Sequence, residues 1–163
     1  MKSNVMADLA AWSNVVAVSV LLGATVYQMQ VIVPEMSRDL PRSAQALAAN
    51  PIFPANFWMS VSTRLAEGIP FLALALNWKT PRRRWLLAGS VMMVLMGLLM
   101  PLFFLPRLED MGLLMPRIPA TDPERLTKAT REWIIGDQIR FWLLLAPSML
   151  VAMKALVTPA ERA

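Results

Sequence analysis

The sequence has no cysteine and no histidine among its 163 residues. Without cysteine the chain holds no disulfide framework and no thiol redox centre, so quinone-linked disulfide chemistry is excluded. Without histidine it lacks the commonest metal ligand and the usual acid or base at neutral pH. Any proton chemistry must therefore use carboxylates, water or the single tyrosine, Tyr27.

Signatures of several enzyme classes are missing as well. There is no Gly-rich phosphate loop and no G-x-S-x-G nucleophile elbow, and without histidine no hydrolase triad can form around Ser60 or Ser62. Met92, Met96 and Met100 lie one helical turn apart, and thioethers can bind Cu(I). Methionine is an ordinary core filler, and no other copper ligand accompanies these three. We therefore expect no metal and no cofactor.

Long apolar blocks dominate what the sequence does contain: 56% of the residues are hydrophobic, and the mean hydropathy is +0.48. The blocks predict spans at about residues 9–33, 54–78, 85–106 and 133–157, each long enough to cross about 30 Å of hydrocarbon. Outer loops 35–53 and 107–132 and the short loop 79–84 connect them. The fold class is therefore predicted as all-α, one four-transmembrane-helix bundle over residues 1–163.

The charge pattern predicts how the bundle is oriented. Loop 79–84 carries four basic residues and no acid, whereas the two outer loops balance their charges. The positive-inside rule places that loop, and with it both termini, in the cytoplasm. The same rule explains the net charge of +5, so we expect a lipid bilayer as partner and no nucleic acid. Asp8 and Asn14 interrupt a signal-peptide pattern, so we expect an uncleaved first span. The expected location is the bacterial inner (plasma) membrane.

The loop before the fourth span contains a helix start. In TDPERLTKATREW, Asp122 is the predicted N-cap, followed by Pro123 at the first helical position and Glu124 in the first turn. The fourth helix therefore begins outside the membrane. Whether this extension and the outer loops form a lid or connect the spans loosely stays open at the sequence level.

Polar residues at membrane depth form a stripe on three of the four predicted spans. The stripe on the second span comprises Asn56, Ser60, Thr63, Arg64 and Glu67. The stripe on the first comprises Ser19, Gly23, Tyr27 and Gln30, and that on the fourth comprises Trp133, Asp137 and Arg140. Counted from the outer ends at about 1.5 Å per residue, the three stripes meet in the outer half of the bundle.

Four of these residues carry charge. An unpaired ion at the centre of a span costs about 2.5 to 3.5 kcal/mol, so Arg64, Glu67, Asp137 and Arg140 should face inward and pair. The pairs are either Arg64 with Asp137 and Glu67 with Arg140, or the local pairs three residues apart. These charges serve either as a structural link between helices or as a functional site.

Two short motifs carry a family resemblance. The segment GATVYQMQVIVP has the spacing G-x3-Y-x3-V-x2-P, formed by Gly23, Tyr27, Val31 and Pro34. The segment WIIGDQIR has the spacing W-x3-[H/N]-x2-R, formed by Trp133, Asp137 and Arg140. Both resemble the anthrone-oxygenase-like family of small four-span membrane proteins. The chain departs from that pattern in carrying a carboxylate at position 137, and PRLEDM where the family has an Asn soon after the proline.

The resemblance implies cofactor-free oxygenation of a polycyclic aromatic substrate. Such a reaction needs a base, a cation that stabilises the enolate and a dry pocket. Asp137 or Glu67 would be the base, Arg140 and Arg64 the enolate clamp, and Tyr27 a hydrogen-bond donor. The expected substrate-binding residues are Phe57, Trp58, Ser60, Gln30 and Trp133; for Trp133, anchoring at the membrane interface is the alternative role.

Three function classes follow from these observations. The first is a membrane enzyme acting on a lipophilic small molecule, either an oxygenase or an isomerase or cyclase. The second is a non-catalytic hydrophobic-ligand-binding or accessory subunit of a membrane complex, and the third a small proton-coupled transporter, which with four spans would need to oligomerise. A closed, ligand-sized cavity between spans one, two and four would favour the enzyme, and tightly paired charges without a void would favour a structural link.

Overall fold

The computed structural model describes residues 2–40, 42–49, 61–113 and 122–160, and every regular element in those ranges is helical. Helix α1 covers residues 2–37, α2 is Arg42–Ala49, α3 is Val61–Leu76, α4 covers residues 83–110 and α5 covers residues 123–157. Asp122 caps α5 by accepting hydrogen bonds from the N–H groups of Glu124 and Arg125, which confirms the predicted helix start. The all-α class is confirmed for the described residues.

The three long helices each contain one π-helical turn. In α1, Lys2–Tyr27 leads into the turn Gln28–Ile32 and then Val33–Ser37. In α4, Arg83–Leu99 leads into Met100–Phe104 and Leu105–Asp110. In α5, Pro123–Arg140 leads into Phe141–Leu145 and Ala146–Val157. The wider turns let each helix continue without a break.

A proline follows each π-helical turn at the same distance. Pro34, Pro106 and Pro147 each lie two residues beyond the last residue of the turn. Proline lacks an N–H group and its ring clashes with the carbonyl four residues earlier, and widening the preceding turn relieves this clash. Helices α1 and α4 therefore continue past Pro34 and Pro106, to residues 37 and 110, beyond the predicted ends of the first and third spans.

Four helices pack into a ring. Helix α1 contacts α3 and α5, and α4 contacts the same two helices from the other side. Small buried residues, Ala10, Ala73 and Ala155, pack with Leu86 where the helices come together. Small side chains of this kind let helix backbones approach closely in membrane bundles.

The outward-facing surface of the bundle is apolar. Helices α1, α4 and α5 are long and apolar enough to cross a membrane, and only 28%, 17% and 22% of their most apolar windows are buried inside the protein. The remaining apolar side chains have no protein core to fill, so they require lipid. The chain is therefore an integral membrane protein, and its described residues include three long apolar helices and a shorter apolar one, Ala66–Leu76, within α3.

The two ends of the bundle are held differently. At the end formed by residues 77–82, hereafter the turn end, Arg82 forms an ion pair with Asp8 and donates to the Thr158 carbonyl oxygen. Asn77 Nδ2 donates to the carbonyl oxygens of Ala7 and Ala73. These polar bonds connect the 77–82 turn to α1 and to the end of α5.

At the opposite end, hereafter the distal end, the extended helices build an apolar cluster of their own. This distal cluster comprises Met36, Phe104, Leu108, Met111, Leu113, Leu126, Ala129 and Trp133. Because α1, α4 and α5 all contribute, the extensions seen in the described residues pack together rather than connect loosely. The cluster lies directly beyond the charged residues of α5.

Candidate functional site

A buried polar cluster joins α1 to α5. Gln28 Nε2 donates to Asp137 Oδ2 at 2.7 Å, and Arg140 Nη2 bonds to Asp137 Oδ1 at 2.5 Å. The Asp137 side chain is 1% exposed and that of Arg140 is 11% exposed. Both carboxylate oxygens of Asp137 thus have partners, one from each helix. We call Gln28, Asp137 and Arg140 the Gln–Asp–Arg cluster.

Local helix geometry positions these side chains beside the π-helical turns. Gln28 is the first residue of its turn, and its carbonyl accepts from the Val33 N–H five residues later. The turn in α5 begins directly after Arg140, where the Phe141 N–H donates to the carbonyls of Asp137 and Gln138. Each turn changes which side chains face the bundle interior at this level.

The predicted polar face of α1 points away from the interior of the bundle. Tyr27 is 57% exposed, and Ser19, Gly23 and Gln30 are exposed with it, so the structure does not bring Tyr27 or Gln30 to the Gln–Asp–Arg cluster. The buried face instead repeats at intervals of three and four residues through Ala7, Ala11, Asn14, Val18, Leu21, Thr25 and Gln28. That heptad spacing is the sequence signal that would have identified Gln28.

The charged residues pair locally. Arg64 and Glu67 form an ion pair at 2.9 Å, and Asp137 pairs with Arg140 on the same helix. The predicted cross-helix pairs, Arg64 with Asp137 and Glu67 with Arg140, are therefore wrong, and the local alternative is confirmed. Neighbours three residues apart on a helix meet without any constraint from a second helix, which explains this choice.

The space beside these charges is small. Arg64, Glu67 and Arg140 line a cavity of about 20 Å³ together with Leu21, Met96, Met100 and Leu145. A cavity of roughly 10 to 15 Å³ accepts one water, whereas small-molecule sites take about 300 to 1,000 Å³. Between the described residues that line it, this cavity can therefore hold one water beside the charged groups.

Aromatic residues surround the cluster on its distal side. Trp133, a predicted substrate-binding residue, lies in the distal cluster with 6% of its surface exposed, so its ring packs in the protein core. Arg140 Cζ lies 5.0 Å from the Phe104 ring centre. The other predicted substrate-binding residues, Phe57, Trp58 and Ser60, lie outside the described residues, as does Asn56.

The described ranges contain no group of three or more acidic, histidine or cysteine side chains that could hold a metal ion. Met92, one of the three methionines spaced one turn apart on α4, accepts a hydrogen bond from Ser148 Oγ at 3.3 Å. This side chain is used in packing α4 against α5.

Two larger depressions are lined by residues that the structure describes. The first, of about 330 Å³, lies between α1 and α3 towards the turn end. We call it the α1–α3 groove; its walls are Met6, Leu9, Ala10, Ser13, Ile69, Leu72, Ala73 and Leu76. The second, of about 430 Å³, is lined by α5 alone over residues 123–135 and is an open surface at the distal end.

The comparisons with known proteins agree with a membrane protein of unassigned chemistry. Neither the curated proteins nor the solved structures contain a match to the chain. A family model described as "Domain of unknown function (DUF4149)" matches residues 16–113, which include α1 from Val16 and helices α2, α3 and α4. This is not the anthrone-oxygenase-like family that the motifs resemble. Since the match covers more than half of the sequence, the chain belongs to the DUF4149 family.

Proposed function

We propose that this protein is a non-catalytic membrane subunit that binds a lipophilic molecule on the α1–α3 groove and uses the Gln–Asp–Arg cluster as a structural link. The proposal depends mainly on the positions and sizes of the cavities that the described residues line. The apolar groove measures about 330 Å³, and the cavity beside Arg140 measures about 20 Å³. Among the described residues, apolar space of ligand size therefore lies in the α1–α3 groove, away from Arg140, and the other large depression, on α5, is lined mostly by charged and polar side chains.

The bonding of Asp137 supports a structural role for the cluster. A general base must lie within hydrogen-bond reach of its substrate, and Asp137 is not among the described residues that line the cavity beside Arg140. Here one oxygen accepts from Gln28 and the other is bound by Arg140, and the residue is fully buried. The Gln28–Asp137 hydrogen bond joins α1 to α5, and Arg140 of α5 neutralises the buried carboxylate that accepts it, which is a recognised use of buried polar groups in specifying how helices pack.

The test is to purify the full chain in a mild detergent and to measure bound small molecules by native mass spectrometry. Ser13→Trp fills the groove, and Val16→Trp places the same side chain on an exposed part of α1 outside the groove. We expect lipophilic adducts on the wild type and on Val16→Trp, and their loss from Ser13→Trp. Adducts that persist in Ser13→Trp would overturn the groove as the binding site.

A second candidate is the cofactor-free oxygenase implied by the sequence motifs. It is favoured by the fact that Arg64, Glu67 and Arg140 line one shared cavity. An oxygen-uptake assay with a polycyclic anthrone tests it directly. Uptake that requires Arg140 and Arg64 would support the enzyme, and the absence of uptake by folded protein would leave the binding subunit.

The topology belongs to the same proposal: four spans with both termini in the cytoplasm. Lys79, Arg83 and Arg84 are exposed at the turn end, as the positive-inside rule requires of a cytoplasmic loop. Because the chain has no cysteine, Lys79→Cys introduces a single thiol. A membrane-impermeant maleimide should label it only after the membrane is opened; labelling of intact cells would reverse the orientation.

A further inference from the structure

We infer that the occupant of the α1–α3 groove is a phospholipid with an anionic headgroup, whose phosphate is bound by the basic residues of the turn end. This inference rests on the proposed function and adds the chemical class of the ligand. Three features support it: the position of the groove, the residues at the end of the groove and the positive charge of the turn end.

The groove opens towards the membrane interface. Its last α3 wall residue, Leu76, is followed directly by the 77–82 turn, and its α1 wall begins at Met6, near the start of the chain. Trp12 and Trp78 are both more than half exposed on these two elements. Exposed tryptophans sit at the level of lipid headgroups, so acyl chains would enter the groove from this end.

The turn end carries uncompensated positive charge. The Arg82 guanidinium forms an ion pair with Asp8, so the charges of these two residues cancel, and it also donates to the Thr158 carbonyl oxygen. Lys79, Arg83 and Arg84 are exposed, and none of them has an acidic partner among the described ion pairs. Three cations at the interface attract anionic lipid in preference to zwitterionic lipid.

The fold holds the charge next to the groove. Lys79 lies three residues after Leu76, and Asn77 bonds the 77–82 turn to the Ala7 carbonyl of α1. The Arg84 guanidinium lies 5.1 Å from the ring centre of Trp85, which packs against the same small cluster that includes Ala10 and Ala73 of the groove wall. An apolar trough for an acyl chain and cations for a phosphate thus occur at one end of the bundle.

The experiment uses the full-length protein in mild detergent, titrated with phosphatidylglycerol or with phosphatidylcholine of the same acyl chains and followed by native mass spectrometry. The test variant is Lys79→Gln/Arg83→Gln/Arg84→Gln. The control variant is Lys128→Gln/Arg131→Gln, which removes exposed charge at the distal end. Circular dichroism melting of every variant checks that it is folded.

We expect phosphatidylglycerol to bind the wild type at least tenfold more tightly than phosphatidylcholine. The triple variant should lose about 100-fold in affinity for phosphatidylglycerol, since each interfacial cation contributes about fivefold. The control should change little, and Ser13→Trp should weaken both lipids. If both lipids bind equally and Ser13→Trp weakens both, the headgroup inference is overturned and the proposed function stands. If neither lipid binds, the phospholipid inference is overturned, whereas the proposed function is overturned only if the lipophilic adducts of the wild type persist in Ser13→Trp.

Discussion

Replacing Arg140 with alanine should strongly destabilise the protein. Arg140 is 11% exposed and binds one oxygen of Asp137, which is itself 1% exposed. Its removal leaves a buried carboxylate with Gln28 as its remaining described partner. Removing one member of a buried ion pair typically costs about 3 to 5 kcal/mol. We expect Arg140→Ala to lose that amount of unfolding free energy, measured by denaturant titration in mixed micelles with tryptophan fluorescence.

A matched control lies on the same helix. Arg125 pairs with Asp110 of α4, and its side chain is 68% exposed. Arg125→Ala should cost at most about 1 kcal/mol, because exposed ion pairs contribute little. The double variant Asp137→Asn/Arg140→Ala should recover part of the loss by removing the buried charge. Equal destabilisation by Arg140→Ala and Arg125→Ala would refute the structural role assigned to the cluster.

Two further predictions concern packing around the cluster. A Cβ at Gly136 would lie 2.2 Å from Phe103 Cε1, so Gly136→Ala should cost about 1 to 3 kcal/mol, whereas Gly97→Ala, with open space around it, should be neutral or slightly stabilising. Melting temperatures in detergent compare the two, and a tolerated Gly136→Ala would contradict the close approach. Trp133→Ala should lower the free energy of unfolding by about 3 to 5 kcal/mol. Trp142→Ala, which removes an exposed side chain, should lower it much less. A similar loss of stability for both variants would show that Trp133 is not in a core.

The sequence predicted the helical class and the start of α5 because both depend on local patterns. Apolar blocks and an N-cap are read directly from neighbouring residues. The continuation of α1 past Pro34 and of α4 past Pro106 is not predicted, since a proline normally ends a helix and the compensating π-helical turn has no sequence pattern of its own.

Of the Gln–Asp–Arg cluster, the sequence predicts the two charged members and not the glutamine. Asp137 and Arg140 were identified because ions at membrane depth are costly. Tyr27 and Gln30 were chosen for their polarity on one face of α1, and Gln28 was missed although it continues the spacing of Leu21 and Thr25. Periodicity of burial decides which face packs, and polarity of single residues does not.

The most direct test of the account is the coupling between Gln28 and Asp137 across α1 and α5. A double-mutant cycle of Gln28→Leu and Asp137→Asn, with unfolding free energies measured in mixed micelles, should give a coupling energy of about 1 to 3 kcal/mol. The same cycle with Tyr27→Phe in place of Gln28→Leu should give a coupling close to zero, because Tyr27 is exposed. Coupling of Asp137 to Tyr27 and not to Gln28 would contradict the account.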